Sequence, residues 1–251
     1  MRKKITKALL KVGFSISRIS KDLSIPVELS KEEVEFVFSV KNEGLSMCSL
    51  QNLFHTALAC IHVAKNDIQG DFVECGVYKG GNALIAAQIF KSRDLDKKII
   101  LFDTFKGMTK PIALDVKNFT EESASVKFAK LHLENYNEWC YSSLLEVKSN
   151  FKVKNLLSDN IIFVAGDVND TLGNTSNLPS AISVLRLDTD WYQSTKKELE
   201  VLYPKLSPGG VLIIDDYGSW QGAKKATDDY FKHEKIFFSQ IDDGARISVK
   251  H

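Results

Sequence analysis

The 251-residue sequence predicts an α/β protein, a doubly wound sheet of five parallel strands followed by an antiparallel hairpin, in the strand order 3-2-1-4-5-7-6. Three observations carry that expectation. "DFVEC" (71–75), "KIILFD" (98–103), "NIIFVAGD" (160–167), "ISVLRLD" (182–188) and "VLIIDD" (211–216) are continuous hydrophobic runs, the texture of strands covered on both faces. Helical or long connecting segments separate most of them, and strand alternating with helix builds a parallel sheet. The last two runs, "IFFSQI" (236–241) and "RISVK" (246–250), are parted only by "DDGA", and Asp243-Gly244 is hairpin chemistry.

In chain order, "MRKKITKALLKVGFSISRISK" (1–21) comes first, with seven basic residues and no acid. The whole chain is +1, so the remainder carries −6. Ile5, Leu9, Val12, Ile16 and Ile19 recur every three or four residues, which predicts an amphipathic helix. It is expected to pack as a cap on its own domain or on the partner in a homodimer. Weak contact with an anionic membrane surface is the competing reading. Lys7 and Lys11 interrupt any secretory apolar region, and no stretch is long enough to span a bilayer. Four scattered cysteines without zinc spacing point to reduced thiols in a cytoplasm. Near-neutral net charge gives no global field for nucleic acid.

Two helices complete the cap over residues 28–66. In "SKEEVEFVFSV", Ser30 and Glu33 form a capping box, and "SLQNLFHTALACIHVAKN" keeps a helical period. The cap segment is therefore 1–66 and the main domain 67–251. Residues 104–150 are too long for a bare connection and are expected to form a lid.

Ligands of open α/β sheets bind beyond the carboxyl ends of the strands, and here those ends are acidic. The first strand finishes at Glu74 and turns through "CGVYKGGN", where Gly76, Gly80 and Gly81 allow close approach of backbone to ligand. The second finishes at Asp103, 29 residues on, where an acid accepts hydrogen bonds from ribose hydroxyls. The third finishes at Asp167, within reach of an adenine amino group. The glycine spacing is not that of a dinucleotide site, and Glu74 would repel a pyrophosphate. A sulfonium cofactor, S-adenosylmethionine (SAM), is cationic and free of phosphate. The terminal hairpin likewise separates the class I SAM-methyltransferase sheet from a nicotinamide-binding Rossmann fold.

Asp188 ends the fourth strand, and Asp215 with Asp216 ends the fifth. Neighbouring strands lie ~4.8 Å apart, so the three carboxylates can converge. Two carboxylates about 4 Å apart repel by roughly 4 kcal/mol at an effective dielectric of 20. Either one is protonated or a cation binds, and clustered acids suit hard Mg²⁺. Arg186, two residues before Asp188, shares its strand face and is expected to neutralise neighbouring acids.

These motifs resemble the macrocin O-methyltransferase family, metal- and SAM-dependent enzymes that methylate sugar hydroxyls of natural products. The resemblance rests on "DFVECGVYKGGNALIAA", "LFDTFKGM" and, most closely, "VLRLDTDWYQSTKKELEVLYPKLSPGGVLIIDDYG". Thr189 stands where the family has Gly, and Gln193 where it has Glu. The resemblance implies SAM contacts from Glu74, Gly76, Asp103 and Asp167, and Tyr78, Gly80, Gly81 and Thr104 in the same turns are expected to join the cofactor site. It implies metal ligation by Asp188, Asp215 and Asp216, with Asp188 also the catalytic base. His132, the one histidine of the lid, is a second candidate base. The acceptor would be a sugar-containing small molecule or glycan. Two rivals remain: a D-x-D nucleotide-sugar glycosyltransferase, and a non-catalytic binding module on the same fold.

Overall fold

The structure is a computed structural model that describes residues 24–251, so the basic segment 1–21 lies outside the described residues. Helices α1 (Lys31–Asn42) and α2 (Leu50–Lys65) form the cap. The expected capping box is present: Ser30 Oγ accepts from Glu33 N at 3.2 Å and Glu33 Oε2 accepts from Ser30 N at 2.9 Å. Glu33 is buried against Arg93, which fastens α1 to the main domain.

The sheet contains β1 (Asp71–Cys75), β2 (Ile99–Asp103), β3 (Ile161–Ala165), β4 (Ile182–Leu187), β5 (Leu206–Ile214), β6 (Ser239–Gln240) and β7 (Arg246–Val249). Its order is 3-2-1-4-5-7-6, with β7 antiparallel to both β5 and β6, as the hydrophobic runs and the Asp-Gly turn require. The sixth run shrinks from the expected 236–241 to two residues, and Phe237 is 80% exposed. Phe238 instead packs on Phe231 and Tyr217, so ring packing overrides strand propensity there.

Successive strand residues face opposite ways, and this divides the core. Phe72, Leu101, Val184 and Ile213 join the cap helices and α3 (Gly81–Ser92) in one cluster. Val73, Phe102, Leu185 and Ile214 pack on the other face, with α7 (Tyr192–Leu202). Helix α8 (Gln221–Tyr230) leads the chain from β5 towards the hairpin. Glu74 and Arg186 share the cap face in register on β1 and β4. A paired acid and base thus occupy core positions among Phe and Ile.

The expected lid is not uniform. Residues 104–143 hold helix α4 (Ala124–Leu131) and three isolated bridges. Its end, α5 (Leu144–Val153), is not a lid at all: Val147 and Phe151 are fully buried in the cap-face core. Trp139, Trp191 and Trp220 form a separate buried cluster with centroids 5.1–5.9 Å apart, so these rings are structural. Among the described residues no helix is long and apolar enough to cross a membrane.

Candidate active site at the carboxyl ends of the sheet

One cleft opens at the carboxyl ends of β1 to β5. Its lining includes Gly76, Tyr78, Asp103, Thr104, Asp167, Asp188, Asp190, Asp215 and Asp216. Among the described residues six aspartates line it and no lysine, arginine or histidine does.

The turn after β1 is built around Gly76, with φ +82°. A Cβ there would sit 1.9 Å from the Asp188 carbonyl oxygen. Only glycine lets β1 pass that close to the residue ending β4, so the glycine turn and the aspartate site depend on one crossing. Asp103 closes the turn from the other side. Its Oδ2 accepts from Val77 N at 2.6 Å and Tyr78 N at 3.2 Å, and its Oδ1 from Phe105 N at 2.7 Å. The expected ribose ligand is therefore also a clamp between two turns. We expect Asp103→Ala to weaken SAM binding by about 10–100-fold, the effect of losing charged hydrogen bonds of roughly 1.5–3 kcal/mol; calorimetry showing unchanged affinity would displace the assignment. Thr104 Oγ1 donates to Gly107 O at 2.7 Å, and Asp167 caps the short helix α6 (Val168–Thr171) by accepting from Asn169 N.

Gly80 and Gly81 serve packing. A Cβ on Gly80 would meet Phe151 and Val147, and one on Gly81 would meet Ser46 and Leu45. Neither glycine lines the cleft, nor does the buried Glu74, a correction to the expected place of all three beside the cofactor. His132 needs correction as well: it is exposed, stacks on Phe128 at 5.3 Å and does not line the cleft.

Arg186 organises the acids. It is fully buried, with Nη2 2.7 Å from Asp215 Oδ1, Nη1 3.0 Å from Asp188 Oδ2 and Nε 3.6 Å from Glu74 Oε1. The Asp188 contact is an ion pair by distance, since Nη1 makes no hydrogen bond. With the Asn82 amide turned to donate to Thr56, its oxygen accepts from Arg186 at 3.1 and 3.2 Å. Asn52 on α2 donates to Asp215 Oδ1 at 2.5 Å. Asp188 and Asp215 keep 24% and 20% side-chain exposure, towards the cleft.

The three expected metal ligands all line the cleft, but they do not form the tightest group. Among the described residues that group is Cys48, Asp188 and Asp215, with one ligand atom from each within 4.8 Å of the others. A thiol from the cap thus approaches a site expected to hold carboxylates alone. Asp216 turns towards Asp190, accepting from its backbone N at 3.1 Å. Asp190 reaches the cleft because its φ is +67°, a rare conformation outside glycine. Strand alternation alone does not foretell it. Burial first and Asp215 second push the Asp188 carboxyl well above the usual range, against the pull of Arg186. Burial and Asp188 push Asp190 up to about 8. Burial and Asp190 likewise raise Asp216.

Glu198 supports the same loop from below. It is fully buried, and its Oε1 accepts from Thr189 Oγ1 at 2.8 Å. Burial pushes its carboxyl up from 4.5 to about 8. The fold therefore favours the protonated form; that stability is complete below about pH 4.5 and is lost as pH rises through 8. Glu198→Gln should abolish this pH dependence, with melting temperatures exceeding wild type by about 5 °C or more at pH 8.5 and converging near pH 5, since ~1 kcal/mol moves a chain of this size by ~2–4 °C. Parallel melting curves across that range would contradict it.

Strand order, acidic cleft and close glycine crossing together define a class I methyltransferase. Solved structures agree: the O-methyltransferase NovP superposes with a TM-score of 0.69 at 29% identity, covering 82% of this chain and 81% of NovP. The macrocin O-methyltransferase (TylF) family model matches residues 30–245, and the chain belongs to that family. It is a SAM-dependent O-methyltransferase. The mycinamicin III 3''-O-methyltransferase of Micromonospora griseorubida is 35% identical over 199 residues, 76% of this chain and 71% of that enzyme. The 8-demethyl-8-(2,3-dimethoxy-alpha-L-rhamnosyl)-tetracenomycin-C 4'-O-methyltransferase of Streptomyces olivaceus is 31% identical over 186 residues, 74% and 67% of the two chains.

Proposed function

We propose that this enzyme transfers the SAM methyl group to a hydroxyl of a sugar-containing acceptor, with Mg²⁺ held by Asp188, Asp215 and Asp216. The observation that carries the reading is the cleft that, among the described residues, is lined by six aspartates and no basic side chain. A sulfonium and a divalent cation both relieve that crowding. The diphosphate of a nucleotide-sugar donor would aggravate it, which counts against the glycosyltransferase alternative. The Streptomyces olivaceus relative, named for a rhamnosyl-bearing substrate, supports a sugar acceptor.

The carboxylate chemistry of Asp188 and Asp215, which approach one another in the cleft, supports a hard cation such as magnesium, with Asp216 on the same wall. Arg186 and the Asp190 amide each engage one oxygen of their aspartates, Asp188 Oδ2, Asp215 Oδ1 and Asp216 Oδ2. Among the described residues, the second oxygens of Asp188 and Asp215 accept no hydrogen bond and offer two hard ligand atoms, while Asp216 lines the same cleft turned towards Asp190. Burial pushes the Cys48 thiol up to about 12, so at neutral pH it is protonated and no ligand for a hard ion.

When bound, SAM supplies an electrophilic methyl and Mg²⁺ supplies Lewis acidity that lowers the pKa of a hydroxyl. Asp188 accepts the acceptor's hydroxyl proton at the carboxylate oxygen not engaged by Arg186. Arg186 holds that carboxylate by the other oxygen and stabilises its charged form. Tyr78, Asp103 and Thr104 line the end of the cleft assigned to the nucleoside, and Gly76 allows its backbone close approach there. The decisive experiment is methyl transfer from labelled SAM to a panel of glycosides, with and without EDTA. Label on a sugar hydroxyl that disappears with EDTA supports the reading. Calorimetric binding of a UDP-sugar without binding of S-adenosylhomocysteine overturns it.

A further inference from the structure

A second cleft, of about 740 Å³, lies on the other side of the turn that follows β5. That volume is within the roughly 300–1,000 Å³ of small-molecule sites. Tyr217 comes directly after Asp216, so a single peptide unit separates a wall of the acidic cleft from a wall of this one.

The two clefts have opposite chemistry. Lys117, Lys224 and Arg246 line the second, with Asp243 its one acid among the described residues. The two lysines are about half exposed, paired with Glu122 at 2.8 Å and Asp228 at 2.5 Å. Exposed pairs of this kind contribute about 0–1 kcal/mol, so an anion of higher charge can take their place. Arg246 stands over the Tyr217 ring at 5.3 Å, held through Nη1 by the carbonyls of Asp242 and Ala245. Nε and Nη2 make no hydrogen bond to the described residues.

The aromatic side is equally specific. Phe119 is 99% exposed with φ +69°, a conformation costly for a bulky residue. It is held there by construction: Asn118 N donates to Ser219 O at 2.9 Å, Asn118 Nδ2 donates to Tyr217 O at 3.3 Å, and Lys117 bridges to Trp220. A bare ring is thereby presented at the rim of a basic groove.

We infer that this groove binds the phosphoryl group of the acceptor: the sugar whose hydroxyl enters the acidic cleft is joined through a phosphoester to an aromatic base, as in a nucleoside diphosphate sugar. The three cations take the phosphates, and Phe119 stacks on the base. The inference rests on the methyltransferase reading and deepens it by naming the acceptor's class. It also explains how one enzyme handles an anionic substrate beside six aspartates, since the charge is carried on the far side of the Tyr217 turn.

The test is binding and kinetics with full-length protein. Titrations with dTDP, UDP, inorganic diphosphate and vesicles containing a polyprenyl diphosphate sugar distinguish a nucleotide from a lipid-borne phosphate. Nucleoside diphosphates should bind, and Lys117→Glu with Lys224→Glu should weaken them at least tenfold. Phe119→Ala should weaken nucleotides but leave inorganic diphosphate unchanged. With a nucleoside diphosphate sugar as acceptor, KM should rise in both variants at nearly constant kcat. Circular dichroism and unchanged S-adenosylhomocysteine affinity show that the variants are folded with an intact cofactor site. Equal nucleotide affinity in wild type and charge-reversed protein overturns the inference, as does binding of the vesicles alone. Loss of S-adenosylhomocysteine binding by the wild-type enzyme instead strikes the methyltransferase reading itself.

Discussion

Asp188→Asn should lower kcat by about 10³-fold, at the centre of the 10²–10⁴-fold range for a positioned general base, while S-adenosylhomocysteine affinity stays within about threefold. The substitution preserves shape, and the amide can still meet Arg186 through its oxygen. What it removes is the proton acceptor and one hard charged ligand. Asp188 sits where both are needed, at the end of β4, open to the cleft and backed by a guanidinium 3.0 Å away. Initial-rate measurements with labelled SAM check this directly. A variant retaining a tenth or more of wild-type kcat would remove Asp188 from the base role.

Arg186→Met should have the largest effect on stability. Among the described residues the guanidinium is the one cation within contact of Glu74, Asp188 and Asp215, and it has no solvent exposure. Glu74 Oε2 already lacks a hydrogen-bond partner, and burial pushes that carboxyl up to about 8 despite Arg186. Removing the cation leaves buried acids uncompensated, a loss of about 3–5 kcal/mol. At ~2–4 °C per kcal/mol the melting temperature should fall by about 10 °C. Arg186→Lys should not restore it, because one ammonium cannot replace a fork that reaches three carboxylates and Asn82. A melting temperature within 2 °C of wild type would show that the acids are neutralised by other means.

The sheet was legible because its signals are local. Each strand is a continuous apolar run, and the acids at positions 74, 103, 167, 188 and 215–216 mark where each chain leaves the core. The cap's part in the site was not legible. Cys48 and Asn52 reach Asp215 across more than 160 residues of sequence, from a loop and helix without a motif. The available signal was Asn52 and Thr56, two polar residues one turn apart on a helix face otherwise apolar. Asp190 was visible as the second acid of Asp-x-Asp, but a left-handed backbone, which no periodicity encodes, brings it to Asp216. Residue type alone marks His132 in the sequence, and its position at the open end of α4 shows how little that signal holds. The 144–153 helix was hidden inside a long connection whose Val147 and Phe151 gave the only sign of a core face.

The most direct test of a cation-neutralised aspartate site is a calorimetric titration of Mg²⁺ into enzyme saturated with S-adenosylhomocysteine. One ion per chain should bind, and Asp215→Asn with Asp216→Asn should abolish that binding while leaving S-adenosylhomocysteine affinity within about threefold. Absence of any bound ion, together with full methyl transfer after EDTA treatment, would contradict it.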